Sequence, residues 1–488
     1  MFQRTKRSIW LYYSNHQLLC NFVLLFFLNL WLALHDRVSP LFYGVNALNN
    51  SAQAKQIWGG SDAGSLLQMG LSQAKFGYLT PDLLWTAGIW PPGMSYIYKF
   101  SFKIVGLNGP FILVLATITA FLWASVLSLL LKIFQEFMSW WIAAIMVITI
   151  IQTDLYHEYL VRDAVIWSDG FGAGLLCLTL TFSYLGSKNY NYYYFFASGI
   201  SLAAVIYLRA QYFSLINFLG VLTILVGILW LASRIFASIW PFKSMKLNQK
   251  YISKQLLIPL LLITTVTFSA CAPYLLWQKN TFGDISWDLD GDWHWTSYAP
   301  FVYMSNWRVS TDLGGWLATG GDGTACQVDK NLCEDINRIE KNSESPFNIH
   351  DETPFNSRDY YEMTKSTLIH HPFKWFAHKV PYFYRYWISG PELAAPGKSN
   401  ILFALFSATG LGMLFVLPFF KFARRNFPTT VVLSIIFVVL TLLPPYIGHL
   451  EVRYLVFTKL IGIVVFVGLF GTFANYLTTK FVRSLGAS

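Results

Sequence analysis

The run FILVLATITAFLWASVLSLLL, residues 111–131, carries no charged side chain. At about 1.5 Å per residue a helix of that length covers roughly 30 Å, the thickness of a bilayer's hydrocarbon core. It reads as a transmembrane helix, and it is not alone. Apolar segments of comparable character lie at about 18–35, 108–133, 138–156, 169–186, 193–208, 211–233, 255–277, 400–420, 429–447 and 454–477. The sequence therefore predicts an all-α polytopic membrane protein of about ten spans. Composition agrees: 55% of the 488 residues are hydrophobic and only 12% are charged, against roughly 25% in soluble domains.

Loop charges orient the chain, because Lys and Arg are retained on the cytoplasmic side. With the N-terminus inside, Arg4, Lys6 and Arg7, then Lys132, Lys188, the Arg234 to Lys254 group, Lys421 to Arg425, and finally Lys480 and Arg483 all fall in the cytoplasm. Every even connection is then basic, which makes the ten-span count self-consistent. Topology accounts for most of the formal charge of +10, and no basic motif points to a nucleic-acid partner. The first span has the basic flank of a signal peptide but no small-residue cleavage site before His35-Asp36-Arg37, so it reads as a retained anchor.

This organisation divides the chain into an N-terminal membrane module of seven spans (1–277), an extracytoplasmic lobe (278–399) and a C-terminal module of three spans (400–488). The lobe, between spans 7 and 8, holds sixteen of the twenty-five acidic residues and must be solvated. It closes on His370-His371-Pro372-Phe373-Lys374-Trp375-Phe376, an amphipathic stretch expected to lie along the membrane surface. Cys326 and Cys333, seven apart in the lobe, suit a local disulfide in an oxidising compartment, whereas Cys20, Cys177 and Cys271 fall inside spans. Two thiols do not make a metal site.

The first extracytoplasmic loop, 36–107, contains the first residue with chemical potential, Asp62. Leu66, Leu67, Met69, Gly70 and Ala74 recur at helical spacing and predict a helix over Asp62 to Phe76, ended by Gly77 and followed by the Pro91-Pro92-Gly93 break. Asp62 at its start reads either as an N-cap, satisfying backbone N–H groups, or as a general base at the mouth of the protein.

Other charges fall at the same expected face. Arg162, Asp163 and Asp169 join the third span to the fourth. Asp169 sits where an ionised group must be paired or hydrated, either as an internal ion pair with a neighbouring Arg or in a polar cavity shared with Asp62. Arg209 has almost no loop in which to be solvated and needs an anionic partner, either Asp169 or a phosphate, whose oxygens its planar fork suits. Arg453, in Glu451-Val452-Arg453-Tyr454 after Pro444-Pro445, repeats the case at the mouth of the last span. Trp287, Trp293, Trp295, Trp307 and Trp316 in the lobe read as interfacial tryptophans or sugar-stacking rings. Asp288, Asp290 and Asp292 alternate like the opening of a calcium loop, but no bidentate Glu follows at the twelfth position, and they read as a solvated turn.

In this order and topology the chain resembles the GT-C superfamily of membrane glycosyltransferases, in the branch of protein O-mannosyltransferases and the aminoarabinose transferase acting on lipid A. The resemblance rests on Asp62 in the first loop, the Gly77 to Pro92 stretch, Asp169 at the top of the fourth span, Leu208-Arg209 before the sixth, and Glu451-x-Arg453-Tyr454 before the last. Its layout covers 1 to about 235 and 365–477. Where family members often carry Asp-Glu, Asp62 is followed by Ala63, and the stretch 278–364 has no counterpart.

The resemblance implies an inverting transfer of a sugar from a polyprenyl-phosphate donor to an extracytoplasmic acceptor, at an outward-facing site in a bacterial inner membrane. Asp62 and Asp169 would be the catalytic carboxylates, Arg209, Arg453 and Arg162 would bind the donor phosphate, and Glu451, Tyr454 and Asp163 would support them. No cofactor is required by this reading, and a divalent cation is left open; no residues are assigned to a metal. Two rivals fit the same topology: an O-antigen polymerase or ligase, which lacks an essential early Asp, and a lipid or anion transporter using the arginines as a lining.

Overall fold

The computed structural model describes residues 2–35, 62–84, 91–162, 168–209, 214–239, 253–282, 398–420, 426–447 and 455–486, with a few isolated residues between them. Among these there is no strand, and the protein is an all-α polytopic membrane protein. Its helices are α1 (Phe2–Leu34), α2 (Asp62–Phe76), α3 (Gly93–Val105), α4 (Phe111–Phe134), α5 (Trp140–Ile151), α6 (Ser168–Asn189), α7 (Tyr192–Leu208), α8 (Ser214–Ile239), α9 (Ile258–Phe282), α10 (Lys398–Val416), α11 (Pro428–Ile447) and α12 (Val456–Gly486).

Seven of the described helices contain apolar stretches long enough to cross a membrane, and three shorter apolar helices begin at Trp140, Tyr192 and Pro428. Together they occupy the ten segments that hydropathy picks out. Most of the lobe, with Cys326, Cys333, the five tryptophans from Trp287 to Trp316 and Asp288 to Asp292, lies outside the described residues, as does most of the His370 to Phe376 stretch.

Two boundaries differ from the expected ones. α1 begins at Phe2 and is kinked at His16 (φ −122°, ψ 24°). The third apolar helix stops at Ile151 and not near 156, because polar groups take over the backbone there. Thr153 Oγ1 donates to the carbonyl of Ile150 at 2.8 Å and accepts from the Tyr156 N–H at 3.1 Å, and the chain continues as a π-helical turn, Leu155–Arg162.

α2 forms where its apolar spacing requires. Leu66, Leu67 and Met69 are buried, and Gly70 lets α3 approach so closely that a Cβ there would lie 2.5 Å from Tyr98 Cβ. Gly77, at φ 84°, takes the chain out of the helix. α3 then packs on α2, on α4 and on the end of α7, where Gly93 lies against the backbone of Tyr207 and Leu208.

Contacts between distant residues show which helix ends share a face. Ser139 N donates to Asn475 Oδ1 at 3.0 Å, so the start of α5 meets the latter part of α12. Thr430 Oγ1 reaches Ser183 Oγ at 3.3 Å, bringing the start of α11 to the latter part of α6. The first turns of α6 and α12 and the last turn of α7 therefore lie at the opposite end of the bundle, the end from which α3 approaches. This is called the first-loop face below.

Candidate functional site

Three charged side chains are buried among the described residues: Asp169, Arg209 and Lys459, at 6%, 8% and 6% exposure. All three belong to helix ends at the first-loop face. Asp169 is in the first turn of α6, where unsatisfied backbone N–H groups favour a negative charge. Arg209 ends α7 with extended backbone (φ −149°, ψ 127°), which turns its side chain off the helix axis. Lys459 is in the first turn of α12.

Arg209 Nη1 donates to Asp169 Oδ1 in a buried ion pair. Of the two partners that the sequence leaves open to this arginine, a carboxylate or a phosphate, the structure supplies the carboxylate. The pair is incomplete on one side. Asp169 Oδ2 is buried and has no hydrogen-bond partner among the described residues, although a carboxylate can accept several hydrogen bonds. Such an oxygen is costly to leave unsatisfied and is set to accept from an incoming hydroxyl or water.

The π-helical turn packs on α6 and contributes residues that the sequence reading passes over. His157 Nε2 is likewise buried without a partner among the described residues. The signal was available in Gln152-Thr153-Asp154-Leu155-Tyr156-His157-Glu158, five polar side chains in seven positions at the end of an apolar run. The turn is anchored by Tyr156, whose hydroxyl donates to Asn29 Oδ1 of α1 at 2.5 Å and whose ring meets Trp123 of α4 edge-on at 5.3 Å. Lys459 was hidden in another way, inside a segment apolar enough to count as a span. Its ammonium lies 5.9 Å from the Trp387 ring centre, and Ser407 Oγ of α10 donates to its carbonyl at 2.9 Å.

Asp62 opens α2, and Arg162 closes the π-helical turn. Asp163, Glu451, Arg453 and Tyr454 lie outside the described residues. Among the described residues no group of three or more His, Cys, Asp or Glu side chains is placed to hold a metal ion.

No family model and no curated protein matches the chain. Among solved structures it is similar to the archaeal oligosaccharyltransferase AglB from Archaeoglobus fulgidus, solved with an inhibitory peptide and a dolichol-phosphate. That similarity covers 97% of this chain and 52% of the archaeal one, at 11% identity and a TM-score of 0.42. This chain spans about half the length of that enzyme.

Proposed function

We propose that this chain is an inverting GT-C type glycosyltransferase that moves a sugar from a polyprenyl-phosphate donor to a glycan, lipid or protein acceptor on the extracytoplasmic side of the membrane. The observation that carries the reading is the buried Asp169–Arg209 pair with its unpartnered Oδ2, held by the start of α6 and the end of α7 at the first-loop face. A buried charge in a membrane protein is expensive and marks a functional site by default. The order of acidic and basic residues along the chain, from Asp62 to Arg453, supports the same reaction class.

In this reaction the acceptor hydroxyl attacks the anomeric carbon on the face opposite the phosphate. Asp62 takes the hydroxyl proton as the new C–O bond forms, and the bond from the anomeric carbon to the phosphate oxygen breaks. The phosphate leaves with the electron pair. Arg209, with Arg453 and Arg162, neutralises the charge that grows on it, with Glu451, Tyr454 and Asp163 supporting them. Asp169 holds Arg209 and offers Oδ2 to the acceptor hydroxyl. The donor's polyprenyl tail lies among the spans.

The test is mass analysis of surface glycans and of accumulated lipid-phosphate sugar in cells carrying Asp62→Asn. The variant inserts normally, leaves donor unused and acceptor unmodified, and loses roughly 10² to 10⁴ in rate, the worth of a general base. A polymerase or ligase without an early catalytic Asp keeps its activity in that variant. A transporter survives Asp62→Asn and fails with Arg209→Gln. Normal glycan modification by Asp62→Asn overturns the proposal.

A further inference from the structure

α3 is too short to cross a bilayer: thirteen residues reach about 20 Å, against a hydrocarbon core of about 30 Å. Both of its ends are tied at one level. Gly93 lies against the last residues of α7, and only five residues separate Val105 from the start of α4 at Phe111. The helix therefore runs along the membrane boundary at the first-loop face.

Its two sides differ in chemistry. Met94, Ser95, Tyr98, Ser101 and Phe102 are buried against the neighbouring helices. On the opposite side Tyr96, Phe100 and Ile104, spaced every fourth residue, are 49%, 55% and 56% exposed. Lys103 is exposed next to Tyr96 at the edge of this stripe on the helical wheel, and Lys99 stands beyond it with its ammonium 5.8 Å from the Tyr96 ring centre. The thirteen residues contain no acid. The outward side is thus an apolar stripe with a basic border and no internal counter-charge, at the depth where acyl chains meet headgroups.

We propose that α3 is an interfacial anchor that selects anionic phospholipid, with Lys99 and Lys103 binding headgroup phosphates while Phe100 and Ile104 lie among the upper acyl chains. Long lysine stems reach the headgroup layer while covering apolar surface. Each such lysine is worth about a fivefold preference for an anionic surface.

The full chain, carrying an environment-sensitive fluorescent amino acid at position 100, is reconstituted in phosphatidylcholine nanodiscs. These contain equal small fractions of doxyl-labelled phosphatidylglycerol or doxyl-labelled phosphatidylcholine. The glycerol lipid quenches several-fold more strongly, the ratio falls towards one in the Lys99→Gln/Lys103→Gln protein and in high salt, and Lys75→Gln, on α2, leaves it unchanged. Equal quenching by the two lipids with both lysines present overturns the selectivity. Absence of quenching by either lipid overturns the docking itself and leaves a protein partner as the occupant. Unchanged elution and helical content of the double variant exclude misfolding as the cause of a lost ratio.

Discussion

Arg209 and Asp169, forty residues apart in the chain, meet as a buried ion pair at the junction of α7 and α6. Both side chains are buried, and each gives the other an opposite charge. Removing one leaves the other buried without this counter-charge.

Asp169→Leu and Arg209→Met are each expected to destabilise the protein by about 3–5 kcal/mol, the usual cost of breaking a buried ion pair from one side. Asp169→Leu combined with Arg209→Met recovers most of that loss, because both charges go together. Unfolding in mixed micelles with increasing sodium dodecyl sulfate measures all of these variants. Strictly additive effects would show that the pair is not coupled.

Activity separates from stability in the same pair. The Asp169→Leu/Arg209→Met protein folds but lacks both the phosphate cation and the free Oδ2. Sugar transfer from a polyprenyl-phosphate donor is expected to fall below detection while the helical content stays native. Retained turnover in a folded double variant removes this pair from the site.

Lys459 shares the first-loop face and the burial of that pair. If it steadies the donor's negative head, Lys459→Gln raises the KM for donor by about tenfold and leaves the KM for acceptor unchanged. Steady-state kinetics with each substrate varied in turn decide the point. An equal rise in both constants would indicate a general distortion of α12.

α10 and α12 cross with backbones in contact. A Cβ on Gly462 would strike the Ser407 carbonyl, and one on Gly410 would strike the carbonyl of Gly462. Gly462→Leu therefore forces the helices apart and costs at least about 1–3 kcal/mol, as overpacking does. Gly412 has nothing within 4 Å of where its Cβ would lie, so Gly412→Ala should be neutral. Thermal unfolding in detergent of the two variants gives the comparison.

Tyr156→Phe removes the hydroxyl that satisfies Asn29 Oδ1 and leaves that oxygen buried in α1. A loss of about 1–3 kcal/mol is expected, the cost of an unsatisfied buried acceptor. Tyr156→Phe with Asn29→Leu should be more stable than Tyr156→Phe alone, in the same unfolding assay.

Much of this architecture is legible in the residues. Ten apolar segments are visible because hydrocarbon tolerates few charges, and the α2 bounds follow from the spacing of Leu66, Leu67 and Met69 and the left-handed Gly77. The end of α5 is signalled by Gln152-Thr153-Asp154, but Leu155 and Tyr156 resume an apolar character that carries the expected span on to 156. The two Thr153 hydroxyl contacts show where the helix stops. The need of Arg209 for an anion is equally plain from its place between two apolar runs.

Which anion it takes is a tertiary matter. Apolar periodicity is a local property, and it determined that this chain lives in a membrane as helices with charged groups confined to their ends. Pairing Arg209 with Asp169, and gathering Lys459 and His157 at that same end, depends on which helices pack side by side. That choice is made by close-fitting surfaces such as Gly93 on Tyr207 and Gly410 on Gly462, which no single segment of sequence contains.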